Sequence, residues 1–234
     1  MFLNSFVAGA ISFNHLNWSI LKTAFWPMVK GAIAYTIPLT LLSFVIGMAI
    51  ALLIALCRLS SVKILRAVAR VYVSIIRGTP LLVQLFVIFY GLGNINLKFD
   101  PFVAATIAFS LNVGGYASEI VRGSIQSVPK GQWEAGFTIG MTYGQALRRI
   151  IIPQAARVSV PPLSNTFISL VKDTSLASLV LVADLFRKAQ EIAATSYEFL
   201  LIYMEAGLLY WVLCMALSGL QNNVEKRLDR YIAK

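Results

Sequence analysis

Four positions in this chain place charge where an apolar residue would cost less. Arg77 falls about eleven residues into an apolar run, near mid-depth at 1.5 Å per residue. Asp173, with Lys172 beside it, lies past the middle of another run, and Glu205 lies in a third. An ionisable group in hydrocarbon is expensive and marks a ligand or pathway position unless a neighbour neutralises it. Arg77 can clamp a carboxylate through two parallel N–H bonds, and Asp173 can accept from an ammonium. An α-amino acid carries both groups, so one Arg and one Asp make an apt site for it. In the competing reading Arg77 and Asp173 only neutralise each other, or Lys172 pairs with a neighbouring helix. Gln84, seven residues after Arg77, is expected on the same helical face, two turns on. Lys172 and Asp173, about 100° apart, should not share a face. Arg77, Gly78 and Pro80 together predict an interrupted helix, which is tolerated where the break lines a cavity. Glu119 and Arg122, three residues apart, read as a structural ion pair. Tyr116 with Gly114 and Gly115 reads as close helix packing, and Glu205 as a pathway or packing residue.

The elements that must hold these residues follow from composition. Of 234 residues, 58% are hydrophobic and 13% charged, with mean hydropathy +0.76. A soluble domain is nearer about 25% charged, so the expected class is an all-α polytopic membrane protein. Runs poor in charge predict about five transmembrane helices, near 31–57, 66–92, 101–121, 158–183 and 199–224, each above the roughly 17 residues that a crossing needs. Lys and Arg outnumber Asp and Glu by 20 to 10. They concentrate in alternate loops: Arg58, Lys63, Arg66 and Arg70; then Arg122, Lys130, Arg148, Arg149 and Arg157; then the tail with Lys226, Arg227, Arg230 and Lys234. Positive charge marks the cytoplasmic side, which predicts an outer N-terminus and a cytoplasmic C-terminus. Residues 1–30 do not read as a signal peptide. Phe13, Leu16, Ile20, Phe25 and Trp26, with Asn14, Asn17 and Lys22, suggest a segment along the outer interface, with a poorly ordered arm as the alternative.

One His, His15, and two Cys, Cys57 and Cys214, leave no metal or disulfide framework to expect. No Gly-x-x-x-x-Gly-Lys-Ser/Thr loop is present, and no Gly-x-Ser-x-Gly, so catalytic residues, metal and cofactor are all expected to be absent from this chain.

The long loop 122–157 is the largest expected non-membrane segment. Pro129 should break the helix before it. Trp133–Ile139 reads as a short helix with Glu134 in its first turn, where the dipole favours an acid. Gly140 is a plausible terminus. Met141–Ile152 reads as a second helix, capped by Thr142 or Thr138 and ended by Pro153. Two short helices make a knob that suits a groove on a partner.

This loop resembles the signature of ATP-binding-cassette importer permeases: Glu-Ala-Ala, three residues, Gly, nine residues, then Ile-x-Leu-Pro. The chain has Glu134-Ala135-Gly136, Gly140 and Ile150-Ile151-Ile152-Pro153. Gly136 and Ile152 are the two departures, and both stay small or apolar. Arg77-Gly78-Thr79-Pro80-Leu81-Leu82-Val83-Gln84, Tyr116-Ala117-Ser118-Glu119-Ile120-Val121-Arg122-Gly123, Pro153-Gln154-Ala155, Pro161-Pro162-Leu163 and Lys172-Asp173-Thr174-Ser175-Leu176 resemble motifs of the polar amino acid uptake subfamily, in order. The resemblance implies a five-span permease of the type I importer fold in a bacterial plasma membrane. It implies a second permease, identical or paralogous, an ATPase dimer that binds ATP and magnesium, and an extracytoplasmic amino acid-binding protein. It also implies inward movement of a polar amino acid by alternating access. Arg77, Thr79, Gln84 and Asp173 become the expected substrate contacts. Glu134, Ala135, Gly136, Gly140 and Pro153 become the ATPase-coupling residues, with Ala135, Gly136 and Gly140 small enough to let the surfaces dock closely. Cystine, glutamine, arginine and histidine all suit such a site. An autonomous channel or ion-coupled carrier is the alternative, but five spans fit an inverted repeat poorly, and no second copy of any motif is present.

Overall fold

The computed structural model describes residues 18–229, and all regular structure in them is helical. The expected interfacial residues Phe13, Asn14, Leu16 and Asn17, together with His15, Arg230 and Lys234, lie outside the described residues.

Helix α1 (Trp18–Gly31) passes through a π-turn, Ala32–Thr36, into α2 (Ile37–Leu59). Ser19–Leu59 is thus one helical stretch of 41 residues, with no break at Lys30 to set an interfacial segment apart. At 1.5 Å per residue this is about 60 Å, more than the roughly 40–45 Å of a bilayer with its headgroups. Pro38 is accommodated because the preceding turn is widened: the Ile37 N–H donates five residues back, to the Ala32 carbonyl. The same device recurs at Leu147–Ile151, where the Ile152 N–H donates to the Leu147 carbonyl just before Pro153. A widened turn relieves the clash that a proline ring makes with the carbonyl four residues back. Pro153 therefore does not end the loop's second helix, contrary to the sequence expectation. The chain runs through it from α7 (Tyr143–Ala146) into α8 (Ile152–Asp173).

Helix α3 (Lys63–Gly78) stops at extended Thr79 and Pro80, and α4 (Leu81–Phe86) resumes at 106° to it, continuing to Ile95. Helix α5 (Pro101–Ser127) starts on an Asp100 cap whose carboxylate accepts from the Phe102 N–H at 2.9 Å. Helix α6 (Lys130–Thr138) precedes α7. After α8, a 3-10 segment, Thr174–Val180, leads to α9 (Leu185–Ser196) and α10 (Phe199–Asp229). Ser19–Leu59 and Phe199–Lys226 are long and apolar enough to cross a membrane unbroken. The two bent pairs, α3 with α4 and α8 with α9, bring the number of such candidates to four, and α5 adds a 27-residue helix between them.

Helices α2 and α3 both pack closely on α5, and glycines permit it. A Cβ at Gly47 would lie 2.6 Å from Val113, one at Gly114 2.6 Å from Ile50, and one at Gly115 2.5 Å from Ile76 of α3. Lipid supplies no hydrophobic drive between helices, so close van der Waals contact at small residues carries the association. Tyr72 of α3 adds a hydrogen bond to the Leu111 carbonyl at 2.7 Å. The core around this seam is rich in Ala: Ala51, Ala104, Ala105, Ala108 and Ala117 are buried in one cluster with Phe109.

Two smaller clusters occupy the ends. Ile125, Val128, Ile151 and Ala155, with Leu59 and Trp133, root the knob formed by α6 and α7. At the other end α1, α9 and the start of α10 pack through Ala24, Met28, Leu185, Ala189, Ala193 and Ile202. There the fully buried Asp184 caps α9 by accepting from the Arg187 N–H at 2.8 Å, with the Tyr210 hydroxyl at 3.4 Å.

Candidate functional site

The break between α3 and α4 opens a cavity of about 450 Å³ against α5 and α8. Its polar wall is built at helical spacing. Asn112 and Tyr116 stand four residues apart on α5; Asn165, Ser169 and Asp173 stand four apart on α8. Thr79 comes from the break itself, and Val113, Leu170 and Leu176 supply the apolar wall. Several of these groups are occupied. Thr79 Oγ1 donates to the Ile75 carbonyl at 2.8 Å, and Asn165 Oδ1 accepts from Gln221 at 3.1 Å. The Tyr116 and Ser169 hydroxyls and the Asp173 carboxylate have no hydrogen-bond partner among the described residues.

The four expected substrate contacts fall into different places. Thr79 and Asp173 line the cavity. Arg77 lies at its edge, with its guanidinium 5.4 Å from the centroid of the Tyr116 ring. This is cation–π distance, so Tyr116 does more than pack helices: it ties Arg77 to the cavity wall. Arg77 and Asp173 form no ion pair among the described residues, and Lys172 is exposed. Gln84 is not on the face of Arg77, because the helix ends at Gly78 and the chain turns back. Gln84 Nε2 donates to the Ile76 carbonyl at 2.8 Å and to Thr79 Oγ1 at 2.9 Å, and its Oε1 accepts from Asn112 at 3.1 Å. It closes the open end of α3 and orients Asn112, one step behind the cavity wall. Asn112, Asn165 and Ser169 were missed in the sequence. The signal was present as polar residues every fourth position on otherwise apolar helices.

Beyond the cavity, Glu119 pairs with Arg122 at 2.7 Å, as the spacing predicts, and also with Arg58 of α2 at 3.2 Å.

The knob is fixed by its own caps. Helix α6 begins at Lys130, so Glu134 lies a turn further in than the sequence suggested, and the dipole argument for it lapses. Gly140, at φ +79°, ends α6: its N–H donates to the Phe137 carbonyl at 2.9 Å, and the Met141 N–H to the Gly136 carbonyl at 3.0 Å. This is the double bond of a Schellman end, which needs the left-handed conformation that glycine adopts freely. Thr142, not Thr138, caps α7, in a reciprocal box with Gln145. Gly136 is buried: a Cβ there would lie 3.2 Å from Ile150 and 3.3 Å from Ala146. Its smallness therefore packs the knob internally rather than exposing it for docking, which corrects the expectation. Glu134 and Ala135 are exposed, as are Phe137, Ile139 and Tyr143. Gly140→Val should destabilise the knob by about 1–2 kcal/mol through the left-handed backbone alone. Gly144→Ala, where nothing lies within 4 Å, should not. Amide exchange at residues 136–142 measures both; equal protection in the two variants would refute the cap.

The profile of the family described as "Binding-protein-dependent transport system inner membrane component" matches residues 43–230. The L-cystine transport system permease protein TcyB of Bacillus subtilis (strain 168) is 61% identical over 100% of both chains. The arginine transport system permease protein ArtQ of the same organism is 33% identical over 86% of this chain and 93% of its own. Among solved structures, a crystal structure of an amino acid ABC transporter with histidines is 38% identical, with a TM-score of 0.82 over 86% of this chain and 94% of that one. The MetNI methionine ABC transporter in an inward-facing conformation, 19% identical, shares the fold at a TM-score of 0.69. Profile, sequence and fold agree: the chain belongs to the binding-protein-dependent inner-membrane transport components, as the non-catalytic permease subunit of an ATP-binding-cassette amino acid importer.

Proposed function

We propose that this permease moves a polar amino acid inward by alternating access, with its knob seated on a partner ATPase that binds ATP and magnesium. One observation carries the mechanism. From Tyr143 in the knob to Asp173 in the cavity wall the chain is helical without a break, through the π-turn and Pro161-Pro162, a contour of about 45 Å at 1.5 Å per residue. Movement of the knob is therefore delivered to the cavity with little loss in between. Glu134, Ala135 and the exposed aromatic residues beside them form the ATPase contact; Gly136, Gly140 and Pro153 shape the element that presents it. The cavity holds the solute with its ammonium at Asp173 and its carboxylate toward Arg77; Ser169 and Tyr116 hydrogen-bond between them, and Thr79, already bonded to Ile75 and Gln84, shapes the wall. Gln84 acts through Asn112. A second permease, identical or paralogous, completes the pathway, and a binding protein delivers the solute at the end where α1 and α9 pack. In this orientation the N-terminus is outside and the C-terminus cytoplasmic.

L-Cystine is the proposed solute, supported by the full-length relative that carries that name. The test is ATP hydrolysis by the reconstituted complex with its binding protein, against a panel of amino acids. L-Cystine should stimulate it. Arg77→Ala and Asp173→Asn should each lower that stimulation at least ~10-fold, the loss of a charge-assisted contact, while the complex stays assembled. Dissociation of the complex in these variants would give both residues a structural role instead.

A further inference from the structure

Helix α3 presents three different faces. Ala69, Val73 and Ile76 are buried. Ile64, Val68, Val71 and Ile75 form a second, apolar face, each more than half exposed. Lys63, Arg66, Arg70 and Arg77 recur at spacings of three, four and seven residues, which stacks them along the remaining face. None of these four cations has an acidic partner among the described residues. Arg66 Nε is buried without a hydrogen-bond partner, although its other end reaches the Ser61 carbonyl at 3.4 Å. Glu119, the acid that feels Arg77's charge, is already held by Arg58 and Arg122.

This row has a direction. It begins where α3 follows α2, whose last residue, Leu59, packs on the knob cluster. It ends about 21 Å further on, at 1.5 Å per residue, with Arg77 over Tyr116 at the cavity edge. We propose that the basic face of α3 is a cationic lane that conducts small carboxylate-bearing solutes between the cavity and the knob side and holds back cationic ones. A row of unneutralised charges raises the local concentration of anions and depletes cations. The proposal rests on the cavity being the solute site. Anions from two sources suit the lane, the carboxylate of a solute and the phosphate of an acidic lipid, and the test separates them.

The test measures access to the cavity rather than transport, so it can fail independently of the substrate assignment. In the purified complex with Cys57 and Cys214 replaced by Ala, Ser169→Cys places one thiol in the cavity wall. It is reacted with two methanethiosulfonates, one bearing a sulfonate and one a trimethylammonium, in nanodiscs of phosphatidylcholine with and without phosphatidylglycerol. Relative to a free thiol, the anionic reagent should be favoured. Arg66→Gln with Arg70→Gln should lower the anionic-to-cationic rate ratio roughly fivefold or more in both lipids, and added salt should shrink the effect. Arg70→Gln alone, at an exposed position, should show part of the drop if the double variant fails to fold. A ratio that neither variant moves overturns the lane. A drop confined to phosphatidylcholine discs, with the ratio already low when phosphatidylglycerol is present, overturns it too and assigns the charges to lipid phosphate.

Discussion

Gly115→Leu is expected to destabilise the bundle strongly at the close contact of α5 with α3. A Cβ at this position lies 2.5 Å from Ile76 Cγ2 and 3.0 Å from Ile76 Cβ before any further carbon is added. Ile76 cannot swing aside freely, because it is buried and the next α5 residue, Gly114, already meets Ile50 and the Tyr72 hydroxyl. Overpacking a close seam costs about 1–3 kcal/mol or more, and three further side-chain atoms put this variant at the upper end. For a chain of this size the melting temperature should fall by roughly 6–12 °C, with loss of the monodisperse complex on extraction. Gly207→Ala, with nothing within 4 Å, should leave it unchanged. Ile76→Ala should restore part of the stability of Gly115→Ala, because it removes the atom that the new methyl meets. A Gly115→Leu chain that melts with the parent would refute the seam.

Glu134→Lys should do the opposite: leave stability alone and remove function. Glu134 is exposed and its carboxylate forms no ion pair among the described residues, so reversing it should change stability by under about 0.5 kcal/mol. If the knob is the ATPase contact, a wrong charge in that interface costs several kcal/mol, and solute-coupled ATP hydrolysis should fall ~100-fold or more. Assembly is scored separately by copurification, and Glu134→Gln should retain more activity than the lysine. Full coupling in Glu134→Lys with normal assembly would move the ATPase contact elsewhere on the chain.

These two residues also show how the sequence and the fold divide the information. Spacing of residue types announces whatever is local. Gly140 marked a helix end inside the loop and Thr142 or Thr138 a cap, Gly114 and Gly115 marked a close contact, and Glu119 with Arg122 an ion pair. Each depends on groups within a few residues of one another, where backbone geometry fixes who meets whom. Gln84 and Pro153 misled because local rules assume that the helix continues regularly. A 106° turn at Thr79 and Pro80 sent Gln84 back onto α3, and a widened turn carried the chain through Pro153.

By itself the sequence determined an all-helical membrane permease of this family, with a protruding knob and charged groups at Arg77 and Asp173. Only the tertiary structure decided what those groups face. It set Thr79, Asn112, Tyr116, Asn165, Ser169 and Asp173 around one cavity, moved Arg77 to its edge and turned Gly136 inward. The physical reason is that a cavity wall is shared by helices far apart in the chain. Which residues line it depends on crossing angles and breaks, and these are set by how the whole bundle packs.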